Sequence, residues 1–403
     1  MNPIKRWLDD ARSQPSLKYV DTCDGLRTMA VLIVAWFHIW QQSWLFPGLT
    51  LFGRDISLDP LVRSGYIWVD MMILISGFCL YLPWARMRDE GGTPMRPLDF
   101  YVRRFVRIHP SYLLTLAIMF AVAIATNAYY YRDHMIRDLV SHLTYTHMFF
   151  YDAYYASNLG GALWTLAIEM QFYLLFPLLA RAFYRMPTTT FAAMVAVALG
   201  FRGWVSVNVK DVALYFNQLP AYLDTFALGM MAANVHAWLS RRRHGVISRV
   251  LCSALSVCML ALIWQVVRRQ AGNPSVELIR LGQMSNRLSM GLLGAGFLVF
   301  SANAGLVLRK ILGNPLTKFF SGISFQFYIW HQTIAVWLIT YKVIPSVYEN
   351  PNWEGDPVWQ MNYTIACFVI SAAAAAVITY GFERPIARKL QAMWNERRKQ
   401  REA

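Results

Sequence analysis

Two ionisable residues bracket one apolar stretch, CDGLRTMAVLIVAWFH, residues 23–38: Arg27 near its start and His38 at its end. They lie eleven residues apart, about three helical turns, so a helix sets both side chains on one face, roughly 16 Å apart along its axis. That arrangement suits a long anionic ligand, with its charged end at Arg27 and its reactive end brought to His38. An imidazole so placed can act as a general base or form a covalent intermediate. The pair equally fits a plain role, with Arg27 anchoring a membrane interface and His38 bonding a neighbouring helix.

Further polar residues interrupt other apolar stretches. Asp70 in YIWVDMMILISGF and Glu169 in LWTLAIEMQFYLLFP are expected at a depth similar to His38, with Tyr173 one turn from Glu169. Carboxylates in lipid are costly and are usually paired, so either could orient His38 and fix its tautomer. Asp70 also fits a helix-end cap or salt bridge. Arg103, Arg104 and Arg107 in YVRRFVRIHPSYLL make i,i+3 and i,i+4 pairs, a cluster able to hold phosphates bidentately or to serve as ordinary topogenic charge. Pro110 is expected to limit the helix there. Ser324, Tyr328 and His331 share a helix face and read as a hydrogen-bond stripe, and Arg202 is expected to pair with Asp224. His134, His142 and His147 lack an HExxH frame, so no metal site is expected.

These residues need a membrane scaffold. Of 403 residues, 56% are hydrophobic and only 15% charged, against about 25% in soluble domains. Repeated apolar runs define an all-α polytopic membrane protein, a bundle of about ten transmembrane helices. The expected spans are 26–45, 66–84, 110–128, 163–183, 189–207, 213–238, 249–267, 288–307, 320–342 and 361–382. No β-barrel alternation, internal repeat or cleavable signal peptide is expected. The net charge of +15 follows the positive-inside rule rather than nucleic-acid binding. Most Lys and Arg then fall on the cytoplasmic side with both termini, while Arg268, Arg269, Arg280 and Arg287 are placed outside. The segments read as a cytoplasmic stretch 1–25, a membrane domain 26–385 and a basic cytoplasmic tail 386–403 touching anionic lipid. Five scattered cysteines without a CxxC argue against a disulfide framework or zinc.

Taken together, the motifs resemble the acyltransferase-3 family of integral membrane proteins. Asp24-Gly25-Leu26-Arg27 with His38 matches the family's opening DGLR and Arg-x10-His, although Thr28 replaces a usual glycine. Val69-Asp70 with Ser76-Gly77-Phe78 resembles the second motif, with Met71-Met72-Ile73 at positions normally aromatic. Arg103, Arg104, Arg107, Ile108, Pro110 and Tyr112 match RRxxRIxPxY. Trp164, Leu166, Glu169, Phe172, Tyr173, Leu174 and Pro177 match WSLxxExxFYLxxP, with Thr165 for serine. Ser324, Tyr328 and His331 are similar to SYxxYLxH, and Glu383 with Pro385 to a closing ExP. The resemblance implies transfer of an acyl group, commonly acetyl, from cytoplasmic acyl-CoA to a carbohydrate or glycan acceptor at the outer face, in a bacterial inner membrane. Some members add an extracellular SGNH-type hydrolase domain, which this length is not expected to hold.

The resulting expectation is specific. Acyl-CoA phosphates rest on Arg103, Arg104, Arg107 and Arg27. His38 is the base, Glu169 or Asp70 orients it, Tyr173 assists at the acceptor or the oxyanion, and no metal is needed. A transporter or flippase is the rival, supported by the spans and buried ionisable groups. The missing internal repeat weakens it.

Overall fold

The computed structural model describes residues 19–51, 53–242 and 245–402. Eleven long helices carry the fold: α1 (Thr22–Ser43), α2 (Val69–Glu90), α3 (Pro97–Ala125), α4 (Trp164–Arg185), α5 (Pro187–Asn208), α6 (Leu223–Ser240), α7 (Val246–Ala271), α8 (Val276–Ala302), α9 (Pro315–Thr340), α10 (Pro357–Ile378) and α11 (Arg384–Glu402). Between α1 and α2 sits an antiparallel hairpin, β1 (Gly48–Leu51) with β2 (Arg54–Ser57). The bundle has a basic end, where α1 and α3 begin and α11 lies, and an opposite hairpin end.

Local chemistry sets the helix limits. Proline opens α3, α5, α9 and α10, where its missing N–H costs nothing. Asn314 caps α9 by accepting from the Thr317 N–H at 3.0 Å, and Asp356 caps α10 through Val358 and Trp359 at 3.1 Å each. The closest packing joins α2 to α6. A Cβ at Gly229 would stand 2.2 Å from the Leu74 carbonyl oxygen, so only glycine allows this approach. Phe172 of α4 stacks on Phe226 of α6 with ring centroids 3.6 Å apart.

The chain is an all-α polytopic membrane protein. Its ten long helices α1–α10 occupy the ten expected segments, but length and apolarity alone qualify seven helical segments as crossings. An eighth is added if α8 and Leu306–Leu312, bent by 119°, count as one. The two that fall short are α6, with Asp224 and His236, and α9, with Gln326, His331 and Gln332. Expected boundaries shift in three places. The sixth segment is broken: Ala213–Phe216 and the 3₁₀ turn Leu219–Tyr222 precede α6, because Pro220 cannot continue a helix from Asn217. The eighth begins at Val276, so Arg287 lies inside a helix and fully buried rather than in an outer loop. Pro110 does not limit α3, which runs through it from Pro97. The arginine cluster is therefore helical throughout, and such prolines are tolerated where neighbouring helices satisfy the freed carbonyl. Of the expected segment 1–25, residues 1–18 lie outside the described residues. A π turn, Thr379–Glu383, joins α10 to α11, which is tied back to α3 by the Trp394 indole N–H donating to Asp99 at 3.0 Å.

Candidate active site

At the basic end, Arg27, Arg107, Lys318, Arg384 and Arg388 surround a vestibule that also holds Asp24 and Glu383. Its walls are braced across the sequence. Ser321 donates to Asp24 at 2.6 Å, Tyr19 bonds the same carboxylate, Thr28 donates to the Thr317 carbonyl at 2.8 Å, and Gln326 donates to Glu383 at 2.7 Å. Net positive charge with flexible guanidiniums is an anion-binding environment. Arg103 lies elsewhere. It is exposed in a groove beside Arg388 and Gln391, so the expected trio divides: Arg104 lines the inner cavity, Arg103 the groove, and Arg107 both.

Inward of the vestibule runs a narrow cavity of about 120 Å³, lined by Arg27, Arg104, Arg107, Cys79, Glu169, Tyr173 and Tyr328 among others. That is below the size of pockets that enclose whole cofactors, so the cavity has room for only part of a large ligand. Helix periodicity explains the convergence: Glu169 and Tyr173 are one turn apart on α4, and Ser76 and Cys79 nearly one turn apart on α2. Glu169 accepts from Ser76 at 2.6 Å and from Tyr173 at 3.1 Å. The Arg104 guanidinium lies over the Tyr173 ring, 5.7 Å from its centroid. An Arg27 N–H points at Cys79 Sγ, 3.7 Å away, and the Cys79 thiol meets that of Cys23.

His38 stands behind this cavity. Tyr328 of the cavity wall lies 5.6 Å from the His331 ring, and His331 lies 5.3 Å from the His38 ring, centroid to centroid. Each imidazole is pinned through Nδ1. His38 Nδ1 is 3.0 Å from Gln41 Oε1, and His331 Nδ1 is 3.2 Å from the Phe327 carbonyl. Both partners are acceptors, so each Nδ1 carries the proton and each Nε2 keeps its lone pair. His331 Nε2 is buried without a partner. Two neighbouring imidazoles thus each leave Nε2 without a hydrogen-bond partner.

The expected carboxylate contact to His38 does not form: Gln41 holds the ring, not Glu169 or Asp70. Asp70 is committed to Arg287, 3.3 Å away, in a buried cluster. Arg287 also donates to the carbonyls of Phe216 at 2.6 Å and Ala221 at 3.3 Å, and it covers the Tyr222 ring at 3.6 Å. Arg202 pairs with Asp224 at 2.5 Å, as the sequence suggests, and shares the Ala221 carbonyl at 3.1 Å. Two guanidiniums and two carboxylates thus balance, which is why they can be buried. Desolvation and pairing put Asp70 in the scaffold rather than beside the imidazole.

The segment between α3 and α4 holds His134, His142 and His147. His142 pairs with Asp138 at 3.1 Å and stacks on His147 at 3.9 Å. Burial works to raise the Asp138 carboxyl, but bonds from His142 and Tyr129 outweigh it and hold it below its usual range. Burial first, and the neighbouring His142 second, push His147 well below the usual imidazole value. Among the described residues, no group of three or more His, Cys, Asp or Glu could hold a metal.

With this geometry in view, the family model described as an acyltransferase domain matches residues 20–381, which include Arg27, His38, Asp70, Arg103, Arg104, Arg107, Glu169 and Tyr173. The chain belongs to the acyltransferase-3 family. A Staphylococcus aureus (strain COL) protein carrying the name O-acetyltransferase is 23% identical over 351 residues, covering 81% of this chain and 52% of the relative. The peptidoglycan O-acetyltransferase of Listeria monocytogenes is also 23% identical, covering 79% of this chain and 50% of its own. Nodulation protein 10 of Rhizobium leguminosarum is 27% identical over 207 residues, covering 48% of this chain and 53% of its own. The chain thus spans about half the length of these curated relatives. No solved structure matches it.

Gln41, Ser76, Cys79 and Arg287 are the site and scaffold residues whose partnerships the sequence reading does not assign. Gln41 carried a signal, since it lies one turn from His38. Arg287 carried none, because its neighbours read as a loop.

Proposed function

We propose that this chain is a membrane-embedded O-acyltransferase. It takes an acyl group, acetyl by analogy with its relatives' names, from cytoplasmic acyl-CoA and esterifies a carbohydrate hydroxyl at the outer face of a bacterial inner membrane. The observation carrying this reading is the sequence of compartments: a basic vestibule, a narrow cavity, then two imidazoles with free Nε2 atoms. The basic end then faces the cytoplasm with both termini, following the positive-inside rule.

The chemistry runs through this chain's own groups. Arg27, Arg104 and Arg107 hold the donor's phosphates, and the thioester reaches the cavity. His38 Nε2, or His331 Nε2 beside it, removes the acceptor hydroxyl proton as oxygen attacks the thioester carbonyl. The carbon–sulfur bond breaks as the ester forms, and the thiolate leaves with the proton the imidazole took. Tyr173 is positioned to turn its hydroxyl from Glu169 to the developing oxyanion. Glu169 holds Tyr173 and Ser76 in place and offsets the cavity's arginines.

The test is a three-way comparison of His38→Ala, His38→Asn and His331→Ala, assayed for transfer, acetyl-CoA binding and melting temperature. His38→Ala is expected to lose roughly 10²–10⁴-fold in transfer with donor binding retained. An active, stable His38→Asn enzyme would sink the proposal that His38 is the base, because asparagine keeps hydrogen bonding but not basicity.

A further inference from the structure

A second cleft, of about 450 Å³, opens at the hairpin end between α3 and α9, a size typical of small-molecule sites. We propose that it is the acceptor subsite and takes a neutral sugar ring; this rests on the acyltransferase reading above.

Its position is the first argument. The turn Gly160–Leu163 forms a partition: Gly160 and Gly161 line the cleft, whereas Ala162 and Leu163 line the donor cavity. Helix α9 does the same lengthwise. Ser324, Phe325, Tyr328 and Ile329 line the donor cavity, and Gln332, Thr333, Val336 and Trp337 line the cleft further along. Donor and acceptor spaces thus adjoin across one turn and along one helix.

The lining chemistry is the second. No lining residue is charged, which disfavours phosphate or a carboxylate and suits a polyol. Trp337 supplies an aromatic surface of the kind that packs on the C–H face of a pyranose, while Asn158, Gln332 and Thr333 supply amides and a hydroxyl. Gln332 Oε1 is buried without a hydrogen-bond partner. An orphaned acceptor is costly, and a sugar hydroxyl donating to it removes that cost. The backbone beside this oxygen leaves no room for a side chain. A Cβ at Gly161 would stand 2.9 Å from Gln332 Oε1, and Gly160 adopts φ +114°, a conformation side chains rarely take. Behind the cleft, Asp138 accepts from the Asn158 backbone N–H at 3.1 Å and fixes that edge.

The full chain is expressed in a bacterial host, ester-linked acetyl on the host's surface glycans is measured by mass spectrometry, and acetyl-CoA is titrated onto the purified chain. Gln332→Leu and Trp337→Ala are each expected to lower transfer about tenfold, with acetyl-CoA affinity and melting temperature unchanged. Trp337→Phe, which keeps an aromatic face, should recover transfer to within a few-fold of wild type. Transfer within twofold of wild type in both truncated variants would overturn the proposal, and so would a parallel loss of acetyl-CoA affinity. Failure of the acyltransferase reading itself shows separately, as a folded wild-type chain that acylates no glycan.

Discussion

Asp70→Asn separates a scaffold residue from a catalytic one. The substitution keeps shape but removes one of two carboxylates from a cluster holding two guanidiniums, leaving a net positive charge. Arg287 has no solvent exposure to offset this. Breaking a buried pair costs about 3–5 kcal/mol. The carbonyls of Phe216 and Ala221 and the Tyr222 ring remain beside Arg287, which argues for the lower end. About 3 kcal/mol corresponds to roughly a 150-fold shift in the opening equilibrium of the α2–α8 contact. The assay is thermal unfolding in detergent or nanodiscs alongside acyl transfer at a temperature where both proteins are folded. Asp70→Asn should melt several degrees lower yet transfer at a near-normal rate per folded molecule. Adding Arg287→Met, which removes the stranded charge, should recover most of the lost stability. An Asp70→Asn protein that melts like wild type but transfers nothing would refute this reasoning and return Asp70 to the chemistry.

Two further outcomes follow from the site and its surroundings. Arg104→Ala and Arg107→Ala should each weaken acetyl-CoA binding about ten- to hundredfold, the worth of a charge-assisted contact, while Arg103→Ala should leave it nearly unchanged; isothermal titration checks the split. Lys at 104 or 107 should recover only part, because an ammonium cannot make the bidentate contact. His147 titrates far below the usual 6.5, so the unfolded segment binds a proton that the folded one excludes. Stability of the 129–162 segment should therefore fall as pH drops through about 6.5 toward 5, measured as faster hydrogen exchange. His147→Phe should flatten that slope; an unchanged slope would mean another group is responsible.

What the sequence made legible follows the reach of helix periodicity. Arg27 with His38, Glu169 with Tyr173, and Arg104 with Arg107 are each fixed within one helix, so spacing alone places them relative to one another. The Arg202–Asp224 pair was legible because two isolated charges in apolar context have few alternatives. Partnerships across helices were not. Depth puts Asp70 near His38, but rotation about the helix axis decides whom it meets, and apolar sequence hardly encodes that rotation. Arg287 hid because the first turns of α8, VELIRLGQMSNR, are polar enough to read as a loop. The family motifs supplied Ser76 as a letter, but only three-dimensional packing shows that its hydroxyl serves Glu169. The cleft between α3 and α9 is uncharged throughout, so nothing in its residue types stood out along the chain.

The basic vestibule has parts that the ribosome delivers far apart in time. Asp24, Arg27 and Thr28 emerge early, whereas Lys318, Ser321, Arg384 and Arg388 follow only after α8 has been made. At about 5–20 residues per second, the interval from Arg27 to Arg388 is roughly 20 to 70 s. Until α9 is made, Asp24 lacks the Ser321 hydroxyl and Thr28 lacks the Thr317 carbonyl that later hold α1 in register. A nascent chain inserted only as far as α8 therefore has its imidazole His38 but no closed anion trap and no His331 beside it. On the proposed mechanism, donor binding therefore waits until α9 and α11 have been made.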